Sequence, residues 1–194
     1  IIIENLKRYG FKNFIISLHY LPDKIKDFLG NGSNYGINIK YVIEKKPLGT
    51  AGCLSLIQDS LSGNNLVVNA DVLTDIDYRG LLNFHTKEKS AITVCTREYI
   101  HEIPFGVVNV SNGIIKSIEE KPSIKSWVNA GIYVINFDQL PSLKKDKYLD
   151  MPDLLESTLA ESEKVSNFEI SNYWIDIGQI HDYEKAQLDI SNNL

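Results

Sequence analysis

The feature that most constrains this chain is the repeated alternation of a short apolar run with a stretch of helical period, sustained from the first residue to about residue 96. A segment of period 3.6 does not settle as a strand, nor one of period 2 as a helix, so the alternation limits the fold before any motif is considered. The opening IIIENLKRYG has apolar residues at 2, 3 and 6 with charges between them, and Gly10 stands where helices end. Asn13 to Leu18 reads as an apolar strand, Pro22 opens the helix PDKIKDFL, and Ile37 to Val42 alternates as a second strand. A helix from about Thr50 to Gln58, a buried strand Leu66 to Asn69, a helix Tyr78 to Glu88 and a strand Ala91 to Thr96 continue the series. Strands joined by helical crossovers pair in parallel, so this stretch predicts a doubly wound sheet.

Beyond Arg97 the rhythm changes. FGVVNV and GIIKSIEE are two strands separated by Ser111 and Asn112, with Gly113 as the turn residue, which predicts a hairpin. The strand WVNAGIYVI, a helix at MPDLLESTLAES, the strand VSNFEI and a helix from His181 to Ile190 complete the chain. The expectation is one domain over residues 1–194, a Rossmann-like three-layer α/β/α sandwich with a mixed, mostly parallel sheet. No repeat or linker calls for a second domain.

Composition narrows the function. Hydrophobic residues make up 43% of the 194, yet no apolar run approaches the roughly 20 residues needed to span a bilayer, so no membrane segment is expected. The net charge of -5 and the scattered lysines argue against nucleic acid as a partner. Cys53 and Cys95 match no metal or redox spacing and read as free buried thiols, and the four histidines show no ligand spacing with them. A cytoplasmic protein is expected. Ile1 is not a natural start, which implies an upstream segment.

Five constellations carry candidate chemistry, each with an ordinary structural reading beside it. In NNLVVNADVLTDID an apolar strand delivers Asp71 to its C-terminal end, where ligands bind in open α/β sheets. Asp71 there holds a divalent cation against a polyphosphate or caps the following turn. In EKKPLGTAGCL, Pro47 and Gly49 make a tight turn and Thr50 opens a helix; the small residues either admit a ligand to the backbone or form a plain loop and cap. In IEEKP, Lys121 is a point charge for a phosphate with Glu120 accepting from sugar hydroxyls, or the two are a solvated pair. In VNAGIYV, Asn129 offers a donor and an acceptor beside small Ala130 and Gly131, or the glycine marks a strand bulge. In YWIDIGQIHDYEKA, Asp176 stands in a turn between an aromatic strand end and a closing helix and on its own reads as a helix-start aspartate.

Taken in order, PLGTAG, NADVLTDID, FGVV, EKP, NAGIYV and YWIDIG resemble the nucleotidyltransferases that make nucleotide sugars, over almost the whole chain. LGTAG looks like the guanylyltransferase branch, and KYLDMPDLLE looks like the branch serving amino-sugar and legionaminic-acid pathways, often fused to CBS domains. The resemblance implies that Asp71 and Asp176 ligate Mg²⁺. It implies that Pro47, Leu48, Gly49, Thr50 and Gly52 line the base pocket, and that Gly106, Glu120, Lys121 and Asn129 hold the sugar phosphate. The substrates implied are a nucleoside triphosphate, GTP first, and a sugar 1-phosphate; Lys121, Asp71 and Asp176 would carry the chemistry. Homo-oligomers and upstream CBS-type domains are compatible with the family.

Two departures matter. Ala70-Asp71 replaces the family's Gly-Asp, which keeps the carboxylate. The family's first strand, its G-x-G-x-R-x-x-P loop and the P-K-P turn are absent from these residues, so the chain alone is expected not to transfer a nucleotide. Two other readings stay open: a sugar-nucleotide-binding or regulatory module without chemistry, and a glycosyltransferase with a metal-binding aspartate pair.

Overall fold

A computed structural model of the chain describes residues 1–191. Helix α1 (Ile2–Arg8) leads into β1 (Asn13–Leu18), and helix α2 (Pro22–Leu29) crosses to β2 (Asn38–Ile43), which lies parallel to β1 from Asn13–Asn38 to Leu18–Ile43. The main sheet has four strands, β3 (Asn64–Val68), β5 (Ile92–Glu102), β8 (Ser123–Asn136) and β9 (Val165–Glu169), in the order β3-β8-β5-β9. Strand β8 is antiparallel to both β3 and β5, while β5 and β9 are parallel. Between these, β4 (Val72–Thr74) pairs antiparallel with β10 (Trp174–Asp176), and β6 (Gly106–Ser111) with β7 (Ile114–Glu120).

The layers follow from strand periodicity. In β8, Ile132 and Val134 face a cluster with Val72, Ile76, Tyr78, Leu81 and Cys95, whereas Tyr133 and Ile135 face one with Ala51, Leu54, Ile92, Met151 and Leu154. Both faces are therefore apolar, which is why this strand reads as an unbroken hydrophobic run rather than an alternating one. Helix α4 (Tyr78–Glu88) closes the first face; α3 (Gly49–Gly52) and α5 (Met151–Ala160) close the second. The last helix, α6 (Ile180–Ser191), packs Ala186 against Leu73 and Ile175.

The α/β sandwich and its mixed sheet match the sequence reading; three local expectations change. The first half is not one parallel sheet, because β8 inserts between β3 and β5 and runs against them. The helix expected from Thr50 to Gln58 is a single α turn followed by two 3-10 turns, Cys53–Leu56 and Gln58–Ser60. Its first N–H groups are taken from outside: Ala51 and Gly52 both donate to the Leu149 carbonyl, at 3.0 and 2.9 Å. Strands β5 and β8 are longer than their apolar cores, since past Thr96 and Asn129 they continue as an exposed two-stranded ribbon whose side chains carry no hydrophobic run.

His85 on α4 is a buried imidazole, 1% exposed, between the sheet strands. Its Nδ1 lies 2.8 Å from Thr93 Oγ1 and its Nε2 3.1 Å from Asn64 Oδ1, a pairing that suits the neutral ring. Burial lowers its pKa from the ordinary 6.5. The unfolded chain then binds the proton more readily than the fold, so this contribution is complete above pH 6.5 and is lost as pH falls below it. Denaturant titrations from pH 7.5 to 5 should show stability falling by up to about 1.4 kcal/mol per pH unit from this group. His85→Gln should flatten that part of the profile; an unchanged slope in the variant would assign the acid sensitivity elsewhere.

Candidate active site

Asp71 follows β3 after a turn, and Asp176 ends β10. The β4–β10 ladder pairs Asp176 with Val72, and the next backbone bond runs from Ile177 N–H to the Asp71 carbonyl at 2.8 Å. Residues far apart in sequence are thereby made neighbours. Gly178 supplies the measure: a Cβ placed there would lie 3.0 Å from Asp176 Oδ1 and 3.9 Å from Asp71 Oδ2. The two carboxylate oxygens are therefore no more than about 7 Å apart on the same side of Gly178, whereas direct ligation of one Mg²⁺ would bring them to about 4 Å. Asp71 Oδ1 is buried with no hydrogen-bond partner, a costly state for a carboxylate oxygen that a bound cation would relieve. Asp176 Oδ1 accepts the Gly178 N–H at 2.8 Å, which fixes its orientation. Two hard oxygen donors and an orphaned lone pair fit a divalent cation. Asp77 serves otherwise, since its side chain accepts the Arg79 N–H and caps α4.

A bulge in β8 lies beside this pair. Val94 pairs with Tyr133 but Thr96 with Asn129, so Ala130, Gly131 and Ile132 stand opposite Cys95 alone. Gly131 has φ +71, and its Cβ would meet Asn69 Nδ2 at 2.9 Å and Val72 Cγ2 at 3.1 Å. Only glycine takes both the left-handed backbone and the close approach. The bulge is tied at three points: Asn69 N–H to the Gly131 carbonyl at 2.9 Å, Gly131 N–H to Asn129 Oδ1 at 3.0 Å, and Trp174 Nε1–H to the Ala130 carbonyl at 2.8 Å. Asn129 also donates to the Tyr133 hydroxyl at 2.7 Å. The side chain expected to meet a sugar thus shapes its own strand, while the residue stays exposed.

In the LGTAG loop, two helices cap each other. Asp150, which precedes α5, accepts Thr50 N–H at 3.0 Å at the start of α3, while Met151 N–H of α5 donates to Thr50 Oγ1 at 2.8 Å. The Tyr148 hydroxyl donates to the other Asp150 oxygen at 2.8 Å. The Thr50 N–H, followed by the Tyr148 hydroxyl, holds the Asp150 pKa below the ordinary carboxylate value. The small residues serve this docking: a Cβ at Gly49 would meet the Leu149 carbonyl at 2.6 Å, and one at Gly52 the Lys147 carbonyl at 2.7 Å. Leu48 is buried, whereas Pro47 and Thr50 stay exposed. The sequence reading missed Glu44, whose carboxylate accepts the Ser17 hydroxyl at 2.6 Å and Leu48 N–H at 3.1 Å and so fixes the entry to the loop. Its signal was available: Glu44 follows β2 as Asp71 follows β3, an acid just past a strand end.

Gly106 and Glu120 pair across the β6–β7 hairpin, and a Cβ on Gly106 would lie 3.1 Å from Glu120 Oε2. Lys121 has φ +46, a left-handed backbone at a non-glycine residue immediately before proline. It is exposed at the outer end of the ribbon, where Ile103 N–H bonds the Pro122 carbonyl at 3.0 Å. Ser123 to Asn129 is continuous strand, which at about 3.3 Å per residue sets Lys121 some 20 Å from Asn129. The structure therefore joins Asp71 with Asp176 at the bulge, and Gly106 with Glu120 in the hairpin, but leaves the hairpin's charges extended away from the aspartates.

Gly131→Ala should destabilise the chain by at least about 2 kcal/mol, combining left-handed strain with overpacking against Asn69. Asp150→Ala should cost about 1 kcal/mol as a lost cap, and Asp150→Asn less, since an acceptor remains. Thermal unfolding of the three variants tests the order; an Ala at 131 as stable as glycine would refute the bulge geometry.

The comparisons agree with this architecture. The Nucleotidyl transferase family model matches residues 1–193. Mannose-1-phosphate guanyltransferase of Yarrowia lipolytica is 30% identical over 197 residues, covering 93% of this chain and 52% of that protein. Its Saccharomyces cerevisiae namesake is 27% identical over 201 residues, covering 99% and 55%. The chain thus spans about half the length of these relatives. Among solved structures, HddC from Yersinia pseudotuberculosis superposes with a TM-score of 0.74 at 24% identity, covering 97% of this chain and 83% of that one, and is also known complexed with GMP-PN. A putative glucose-1-phosphate thymidylyltransferase from Bacillus anthracis also superposes with a TM-score of 0.74, at 24% identity over 99% of this chain and 81% of that one. At these identities the superpositions speak for the fold, and the family match speaks for descent: the chain belongs to the nucleotidyl transferase family.

Proposed function

We propose that the complete protein carrying this chain joins a nucleoside triphosphate, GTP first, to a sugar 1-phosphate, giving an NDP-sugar and pyrophosphate. The observation that carries the proposal is the Asp71–Asp176 pair beside Gly178, with one Asp71 oxygen buried and unpartnered. In the reaction a phosphate oxygen of the sugar phosphate attacks the α-phosphorus in line, and the bond to the departing pyrophosphate breaks. No covalent enzyme intermediate is needed, so the protein's task is positioning and charge stabilisation. Mg²⁺ held by Asp71 and Asp176 would neutralise charge on the transferring phosphate.

The chain's own residues divide the remaining work. Glu44 and the Pro47–Gly52 loop present the base pocket, where a carboxylate accepts from the N–H groups that guanine alone of the common bases presents side by side. Relatives named as guanyltransferases favour the same base. Asn129 and the bulge flank the sugar subsite. Glu120 and Lys121 serve it when the ribbon bends back toward Asp176, with Gly106 leaving room beside Glu120. Among the described residues no helix is long and apolar enough to cross a membrane, which suits a cytoplasmic enzyme. The module without chemistry has no observation in its favour, since both aspartates are in place.

Pyrophosphate release by the complete protein should be faster with GTP than with UTP or dTTP; a preference for either of those would overturn the base assignment. Asp71→Asn and Asp176→Asn should each abolish turnover. Lys121→Ala should raise KM for the sugar phosphate tenfold to a hundredfold, the loss of a charge-assisted contact of about 1.5 to 3 kcal/mol, with the nucleotide KM little changed. Unaltered sugar-phosphate kinetics would return Lys121 to the role of a solvated surface charge.

A further inference from the structure

The strands that carry the two aspartates form a sheet too small to place them unaided. Strands β4 and β10 pair over three residues each, and a two-stranded sheet has marginal stability alone. Its geometry must be borrowed from the four-stranded sheet. On the β4 side the link is backbone, Asn69 N–H to the Gly131 carbonyl. On the β10 side, Ile170 N–H bonds the Thr96 carbonyl at 2.8 Å, after which the chain leaves β9 and crosses to β4. Past that point side chains tie the crossing segment to the main sheet: Arg97 Nη1–H donates to the Asn172 carbonyl at 2.9 Å, and Trp174 Nε1–H to the Ala130 carbonyl at 2.8 Å.

The two differ in kind. The guanidinium bond is exposed and competes with water. The indole bond reaches Ala130, which is fully buried, and the Trp174 ring packs in the cluster of Val72, Ala130 and Ile170. Trp174 is two residues from Asp176 on the same face of a strand, and Ala130 adjoins Asn129. This hydrogen bond joins the strand that ends at Asp176 directly to the strand that carries Asn129.

We propose that Trp174 is a positioning residue, whose indole N–H on the Ala130 carbonyl holds Asp176 in register with Asn129 and thereby couples the cation site to sugar-phosphate binding. The inference rests on the function proposed above and assigns to this side chain a task that packing alone would not require.

The test is Trp174→Phe in the complete protein, which retains one aromatic ring in the core and removes the donor together with the second ring. Two readouts are needed. Mn²⁺ titration without nucleotide, followed by the signal of free Mn²⁺ in electron paramagnetic resonance, should show affinity reduced severalfold, because Asp176 loses its fixed place beside Asp71. In turnover, KM for the sugar 1-phosphate should rise about tenfold while KM for the triphosphate stays within twofold. Wild-type Mn²⁺ affinity and equal changes in both KM values would overturn the positioning role and leave Trp174 as core packing. If the wild-type protein binds Mn²⁺ but transfers no nucleotide, the proposed function fails while the Mn²⁺ comparison still decides the inference. Arg97→Gln, which cuts the exposed bond, should leave Mn²⁺ affinity unchanged; an equal loss there would move the role from Trp174 to the crossing segment as a whole.

Discussion

The arrangement of the site depends on one departure from regular pairing, the bulge at Ala130–Gly131. On the β3 side β8 keeps its regular ladder, in which Asn69 N–H on the way to Asp71 bonds the Gly131 carbonyl, while at the bulge against β5 the Ala130 carbonyl is taken by Trp174 on the way to Asp176. The left-handed φ of Gly131 makes this possible and the contact with Asn69 makes it exclusive. Asn129 then stabilises the distortion from within, accepting the Gly131 N–H and donating to Tyr133, whose hydroxyl is buried enough to raise its pKa.

The opposite side of the sheet uses a different device. Helix α3 has a single turn and could not persist alone, because a nucleus that short fixes many dihedrals for few hydrogen bonds. It persists because Asp150 and Thr50 exchange caps and Leu149 accepts the N–H groups of Ala51 and Gly52. The loop that the family uses for the base is thus held by a segment a hundred residues away. Glu44 secures its other end through Leu48 N–H. The glycines of LGTAG are small because the chain's own carbonyls lie against them, the loop-and-cap demand that stood beside the ligand reading of the sequence.

This difference marks what was legible in the sequence. Most of the order and kind of elements was, because burial on both faces of β8 leaves an unbroken apolar run and burial on one face of α4 leaves a period of 3.6, whereas the short β4 and the 3-10 turns after α3 leave neither. The placing of Asp71 and Asp176 on one side of the sheet was, since each stands just past or at the end of a short apolar strand. The direction of β8 was not, because an apolar run buried on both faces looks the same whether it pairs parallel or antiparallel. The partners of Thr50, Ala51 and Gly52 were not either, as hydrogen bonds between residues 50 and 150 leave no local pattern. Glu44 escaped notice although it opens the stretch EKKPLGTAGCL, because the small residues from Pro47 onward drew the attention.

The hairpin shows how one extra residue alters what a strand pattern means. Ile115 and Ile118 are an odd number of positions apart and would face opposite ways in a regular strand. In β7 the pairing runs Asn109–Ser117 and then Val110–Ile115, so Lys116 is bulged out and the two isoleucines fall on one side with Val108 and Val110. These four side chains are between 43% and 66% exposed, a continuous aliphatic face on a ribbon that buries nothing beneath it. A two-stranded ribbon of this kind gains little from its own ladder. Its direction relative to the sheet is set where the ribbon meets it, at Lys121 with its left-handed backbone and at the Ile103–Pro122 bond. A left-handed lysine before proline is disfavoured, so this junction concentrates backbone strain in one residue. The strain therefore falls on the residue whose charge the proposed reaction must bring to the aspartates.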